Sequence, residues 1–117
     1  MADENNQNLI ESSKVDGTRV FSANGEEAGH IDHLLIDKPS GKIAYAVMTF
    51  GGLWGLGSDT HPIPWSALDY DTELGGYRTG ITKDQLQNAP ERERDWVGDR
   101  RREEVMFTHY GYPGYWM

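Results

Sequence analysis

The sequence has no cysteine, no long apolar run and few basic residues relative to its acids. Without a thiol, the chain has no disulfide, no thiolate metal site and no cysteine nucleophile. No apolar stretch approaches the roughly 20 residues that span a bilayer. Lysine and arginine total 11 against 19 acids, a net charge of −8. This acidity argues against general nucleic-acid binding, because phosphate contacts need a concentrated basic surface.

The remaining composition predicts one small domain with a segment appended at each end. A length of 117 residues suits one domain, and a hydrophobic content of 37% is low for a chain that is folded throughout. We expect residues 1–13 to be a disordered polar leader. Its first residues lack the basic-then-apolar pattern of a signal peptide, so we expect a soluble, cytoplasmic protein. Residues 14–90 then form the folded domain, and residues 91–117 a charged helical arm with an aromatic tail.

The middle segment alternates short apolar runs with tight-turn residues, which predicts an all-β fold. Asn24-Gly25 and Pro39-Ser40-Gly41 are the clearest turns. Residues 42–50 form the clearest strand, and because they are apolar on both faces we expect that strand to be central in the sheet. Six predicted strands indicate a small barrel or sandwich: residues 18–22, 29–37, 42–50, 61–65, 68–70 and 77–80.

Helical signals occur only after these strands. Thr82 followed three residues later by Gln85 is a capping box, which predicts a short helix over residues 83–88 that ends before Pro90. Residues 91–106 are highly charged and predict a marginal helix in which Gly98 is a weak point. Glycine and proline argue against helix in the aromatic segment that follows.

The order and spacing of motifs over about residues 15–90 resemble those of the PRC-barrel domain. The motifs are GTRVF, NGEEAGHI, DKPSGKIAYAV, GGLWGLG, PWSALDYDTELGGY and ITKDQLQNAP. The ending YGYPGYW is similar to that of stand-alone bacterial members. The resemblance implies a six-stranded barrel related to the cytoplasmic domain of the reaction-centre H subunit and to the C-terminal domain of a ribosome-maturation factor. In both proteins that domain serves as a protein-binding module and not as an enzyme.

Histidine and acid residues offer weak candidates for a metal site. On a strand, His30 and Asp32 share one face while His33 points to the other. His61 would have to arrive from another segment as a third ligand, and zinc needs three or four that converge. The alternative is that these polar residues form a solvated face. We therefore predict no metal and no cofactor, with His30, Asp32 and His61 as the residues that would contradict this prediction.

Catalytic patterns are missing from the sequence. The glycines of residues 51–57 do not have phosphate-loop spacing, and no Lys-Ser or Lys-Thr follows them. Ser66 is not in a nucleophile elbow, and no spacing pairs a nucleophile with a base. We predict that the chain is not an enzyme.

Apolar residues outside the strands point to protein binding. Exposing such side chains to water would create contact surfaces, and aromatic residues are common at interfaces. We predict a non-catalytic, self-associating scaffold or interaction module, with a homodimer as the simplest closed assembly. The alternatives are an adaptor for a dedicated partner, of ribosome-assembly or membrane-complex type, and a barrel that binds a small molecule or metal. The predicted interaction residues are Leu53, Trp54, Leu56, Tyr110, Tyr112, Tyr115 and Trp116.

Overall fold

The computed structural model describes residues 9–51, 60–89 and 98–117. Its six strands are β1 (Arg19–Phe21), β2 (Glu27–Ile36), β3 (Ile43–Phe50), β4 (Thr60–Pro64), β5 (Leu68–Asp71) and β6 (Gly76–Thr79). Its α-helices are α1 (Ser12–Val15), α2 (Lys83–Gln87) and α3 (Arg100–Tyr110). Each predicted strand is present, with ends that differ from the prediction by at most two residues. Of the helices in the described ranges, none is long and apolar enough to cross a membrane.

The six strands form one curled sheet in the order β4-β3-β2-β1-β6-β5. Neighbouring strands are antiparallel except β1 and β6, which are parallel. The edge strands β4 and β5 are joined by the three residues of a 3-10 turn, Trp65–Ala67. A flat six-stranded sheet would separate its edges by about 24 Å, beyond the roughly 14 Å that such a connection spans. The sheet must therefore curl, which confirms the predicted PRC-type barrel architecture.

The inner face of the sheet is a mostly apolar layer. Residues directly opposite each other on neighbouring strands share a face. Val20 lies opposite Gly29 and Tyr77, Ile31 opposite Met48, and Ala46 opposite Ile63. Apart from Gly29, which has no side chain, these residues form one buried cluster with Ala44 and Phe50. The interior of the curled sheet is thus built from the alternation visible in the sequence.

The outer face of the sheet has a polar part and a part that is buried beneath α3. Arg19, His30, Thr49 and Thr60 form a cross-strand row of polar residues on this face. Farther along β3, Tyr45 and Val47 lie on the same outer face and are nevertheless buried. Tyr45 is covered by α3, where its ring meets that of Phe107 with centroids 6.3 Å apart. Strand β3, predicted to be central, is second from an edge with a neighbour on each side, and its middle is buried on both faces.

The helix α3 differs from the predicted arm. Its N-cap is Asp99, whose side chain accepts hydrogen bonds from the amides of Arg101 and Arg102. Gly98 precedes that cap with a positive φ of 84°, so it marks the helix start and is not a weak point within it. The helix runs past the predicted end at residue 106 to Tyr110 and stops at Gly111, whose φ of 80° is left-handed.

The same helix belongs to the core of the molecule. Met106, Phe107 and Tyr110 are buried, as is Glu103, so one stripe of α3 faces the sheet. Part of the predicted arm therefore packs in the core. Its helical periodicity is hard to see in the sequence, because a charged residue lies within the buried stripe. At the other end, α1 begins at Ser12 and buries Val15. The domain limits predicted at residues 13 and 90 remain predictions.

Candidate functional site

A buried carboxylate joins the barrel to the C-terminal tail. Glu103 on α3 is only 2% exposed. Its Oε2 accepts a hydrogen bond of 2.8 Å from the hydroxyl of Tyr45 on β3. Its Oε1 accepts one of 2.7 Å from the hydroxyl of Tyr115 in the tail. A charge taken out of water needs such partners, since an unpaired buried carboxylate is strongly unfavourable. Glu103 therefore holds the strand, the helix and the tail together.

The tail turns back along α3 after Gly111. The amides of Gly111 and Tyr112 both donate to the carbonyl of Phe107, which closes the helix end. The Phe107 ring then meets Tyr115 at 5.9 Å and Trp116 at 5.5 Å between centroids. At Gly114 an added Cβ would clash with the indole of Trp116, so only glycine permits this close approach. The tail is thus folded against its own chain.

Arg100 lies over the two tail rings. Its guanidinium carbon is 4.3 Å from the centroid of Trp116 and 5.4 Å from that of Tyr115. Its Nε is 3.5 Å from Oε1 of Glu103, and half of the arginine side chain remains exposed. This is a cation–π arrangement supported by an ion pair. We call Glu103, Tyr115 and Trp116 the guanidinium cage.

The tyrosines around this site are held in the neutral form. Burial raises the pKa of Tyr45, and its hydrogen bond to Glu103 raises it further, while a backbone hydrogen bond with Gly98 acts in the opposite direction. Burial also raises the pKa of Tyr110. For Tyr115 the same two causes raise the pKa, burial first and then Glu103, against an opposing effect of Arg100. The hydroxyls of Tyr45 and Tyr115 therefore donate hydrogen bonds to Glu103 at neutral pH.

A second connection ties α3 to the preceding helix. The Nε2 atom of His109 is 2.6 Å from the carbonyl oxygen of Gln85. Because a carbonyl oxygen only accepts, His109 carries its proton on Nε2. Helix α2 has the predicted capping box, with Thr82 and Gln85 bonded reciprocally. The position of α3 is thus fixed from both β3 and α2.

The predicted interaction residues fall into three groups. Tyr110 is 5% exposed and belongs to the core. Tyr112, Tyr115 and Trp116 are partly buried and pack against the core from its margin. We call these three residues the C-terminal aromatic surface. Leu53, Trp54 and Leu56 lie outside the described residues.

The structure does not bring the metal candidates together. His30 lies opposite Thr49 on the outer face, whereas His61 lies opposite Met48 on the inner face, where its ring meets Phe50. Asp32 sits at a bulge of β2 and pairs with the Nδ1 of His33 at 2.8 Å. Within residues 9–51, 60–89 and 98–117, no three histidine, aspartate or glutamate side chains are placed to hold a metal ion.

Sequence reasoning missed Glu103, Arg100 and Tyr45 as members of this site. Arg100 and Glu103 are three residues apart on a helix, a spacing typical of an exposed ion pair. Tyr45 and Glu103 are 58 residues apart, so nothing local links them. The available signal was the spacing of Glu103, Met106, Phe107 and Tyr110, which is helical once the glutamate is counted as buried.

The comparison with family models agrees with this architecture. The family model for the PRC-barrel domain matches residues 7–86. A search of the curated proteins found no match. Among solved structures, one that matches is a Pseudomonas aeruginosa protein described as a 16S ribosomal RNA processing protein, RimM. The two are 22% identical with a TM-score of 0.43, and the match covers 64% of this chain and 45% of that protein.

Proposed function

The chain belongs to the PRC-barrel domain family, and on that premise we propose that it is a non-catalytic protein-interaction module that self-associates. The proposed contact regions are the C-terminal aromatic surface and the glycine-rich loop with Leu53, Trp54 and Leu56. A homodimer is the proposed assembly, because a two-fold contact closes with one surface.

One observation carries this proposal most directly. Tyr112, Tyr115 and Trp116 are still partly exposed after the tail has folded against α3. Contacts within the chain hold two of them in place. Tyr115 donates a hydrogen bond to Glu103, and the ring of Trp116 packs against those of Phe107 and Tyr115. Aromatic residues fixed in this way lose little entropy on binding and offer a large contact area. Such a surface suits a protein partner better than a small substrate.

Sedimentation velocity over a range of protein concentrations tests the self-association. We expect dimer formation in the wild-type chain and weaker association in Trp116→Ser and in Trp54→Ser. Tyr70→Ser is the matched control, because Tyr70 is an aromatic residue on β5 that is 49% exposed and remote in sequence from both regions. A wild-type chain that stays monomeric at the highest concentration would refute self-association.

A deletion variant separates the aromatic surface from the core. A chain ending at Glu104 would lose the buried Met106, Phe107 and Tyr110 and is therefore unsuitable. A chain ending at Tyr110 removes the aromatic surface and keeps those three residues. We expect this variant to retain the barrel, as measured by circular dichroism, and to lose dimer formation.

An adaptor for a separate partner is the second candidate, and the charge of the chain favours it. With a net charge of −8, two copies repel each other, whereas a basic partner is attracted. Pull-down with the full chain and with the chain ending at Tyr110 tests this alternative. Loss of one specific basic protein, with no difference in oligomeric state between the two chains, would favour the adaptor over the dimer.

A further inference from the structure

The guanidinium cage already binds a cation, namely the chain's own Arg100. The guanidinium group lies over the indole of Trp116 and near the ring of Tyr115, and its Nε is 3.5 Å from the Glu103 carboxylate. Two aromatic faces and one buried negative charge thus converge on one position. We propose that the cage is a recognition site for an arginine side chain of a partner protein, and that Arg100 occupies it in the free chain.

The chemistry of the cage selects guanidinium over other groups. Tryptophan is the aromatic ring that binds cations best, and a planar guanidinium stacks on it while keeping its edge free for hydrogen bonds. Each oxygen of Glu103 accepts one phenol hydrogen bond and retains a further lone pair for a cationic donor. A lysine ammonium is compact and strongly hydrated, so it gains less from stacking.

Arg100 is placed so that another arginine can replace it. It is the first residue of α3, and half of its side chain is exposed. The hydrogen bonds of Glu103 to Tyr45 and Tyr115 do not involve Arg100, so we expect the cage to stay formed when the arginine is removed. Because Arg100 belongs to the same chain, it competes with a partner's arginine at a high effective concentration. This competition lowers the affinity of the wild-type chain for the partner's arginine. In the free chain Arg100 therefore occupies the cage, and a partner binds when its arginine displaces Arg100.

This inference rests on the proposed function, because it names the chemistry of the partner that uses the same surface. Part of the C-terminal aromatic surface, Tyr115 and Trp116, belongs to the cage. The net charge of −8 favours approach by a basic protein. The cage then fixes where one arginine of that protein is bound.

Nuclear magnetic resonance titration with a blocked tripeptide, acetyl-Gly-Arg-Gly-amide, tests the site. The chain has four tryptophans and hence four indole N–H signals, and Trp116→Leu identifies the signal of Trp116. We expect the tripeptide to shift this signal saturably and to bind Arg100→Ala about tenfold more tightly than the wild-type chain. Arg101→Ala is the matched control, since it removes the same charge from the next residue of α3.

Titrations with other ligands define the chemical group that the cage binds. We expect acetyl-Gly-Lys-Gly-amide to bind Arg100→Ala several-fold more weakly than the arginine tripeptide. Free arginine that binds much more tightly than the tripeptide would indicate a metabolite and overturn the protein-borne source. Equal affinities for Arg100→Ala and Arg101→Ala, or a Trp116 signal that does not shift in either, would show that Arg100 only staples the tail and would overturn the proposal.

The outcomes separate this inference from the proposed function. If the chain dimerises through Trp116 while Arg100→Ala binds no tripeptide, the interaction module stands and the cage proposal fails. If Arg100→Ala binds the tripeptide while the chain remains monomeric, the cage stands and self-association fails.

Discussion

The two faces of strand β3 are both buried, but different chemistry buries each of them. On the inner face, Ala44, Ala46, Met48 and Phe50 meet other apolar residues of the same sheet. On the outer face, Tyr45 is covered by α3 and the tail, with the Glu103 carboxylate between its hydroxyl and that of Tyr115. The inner face is stabilised by burial of apolar surface. The outer face is stabilised by burial of apolar surface together with directed hydrogen bonds.

The two faces therefore have different roles: the inner face stabilises the sheet, and the outer face determines the position of α3 and the tail. An apolar layer is tolerant of small shifts, because the hydrophobic effect has no direction. A carboxylate with one phenol on each oxygen allows only a narrow set of positions for α3 and the tail. The outer face therefore fixes where the partly exposed aromatic residues stand, and the inner face keeps the sheet folded beneath them.

The largest expected effect is on the inner face. Phe50→Ala removes a ring that is 1% exposed and leaves a cavity within the curled sheet. We expect the free energy of unfolding to fall by about 3–5 kcal/mol, which would approach the total stability of a domain of this size. Urea denaturation followed by tryptophan fluorescence measures this loss. A loss below about 1 kcal/mol would mean that the inner face is not the main source of stability.

The corresponding change on the outer face is Glu103→Ala. It leaves the hydroxyls of Tyr45 and Tyr115 without their acceptor and removes the partner of Arg100. We expect a loss of about 2–4 kcal/mol in the free energy of unfolding, measured by the same denaturation. Glu104→Ala is the matched control, an adjacent exposed acid on the same helix, with an expected change below about 0.5 kcal/mol. Equal effects of the two substitutions would show that Glu103 carries no directed network.

The contrast between the faces also explains what the sequence could predict. The inner face follows from alternation within single strands, so all six strands and the capping box of Thr82 were predictable from local patterns. The outer face depends on Glu103, and a glutamate among three arginines and another glutamate is typical of a solvated helix. Only the approach of Tyr45 and Tyr115 makes its burial favourable, and that approach is a property of the folded chain.

A smaller effect is expected at the tail end of the network. Tyr115→Phe removes one hydrogen bond to Glu103 and keeps the ring against Phe107. We expect a loss of about 1 kcal/mol in the free energy of unfolding, less than for a fully buried donor because Tyr115 is partly exposed. Hydrogen exchange of the tail amides should rise while that of β3 changes little. Faster exchange throughout β3 would contradict the separate roles of the two faces.

The smallest expected effect is the dependence on alkaline pH that Tyr45 contributes on the outer face. The pKa of Tyr45 is raised in the folded state by burial and by Glu103, whereas an unfolded tyrosine ionises near pH 10. The folded chain therefore keeps a proton that the unfolded chain loses, so the stability contributed is complete well below pH 10 and declines as the pH rises through the unfolded pKa. For Tyr45 alone the decline is about 0.4 kcal/mol at pH 10, because half of the unfolded phenols are then ionised.

Tyr45→Phe lacks this contribution, so the stability difference between it and the wild-type chain should shrink as the pH rises from 8 to about 10.5. Ile63→Val on the inner face removes no titrating group, and its cost, about 1 kcal/mol, should stay constant over the same range. A difference for Tyr45→Phe that stays equally constant would mean that water reaches the Tyr45 hydroxyl and that the outer face is not sealed.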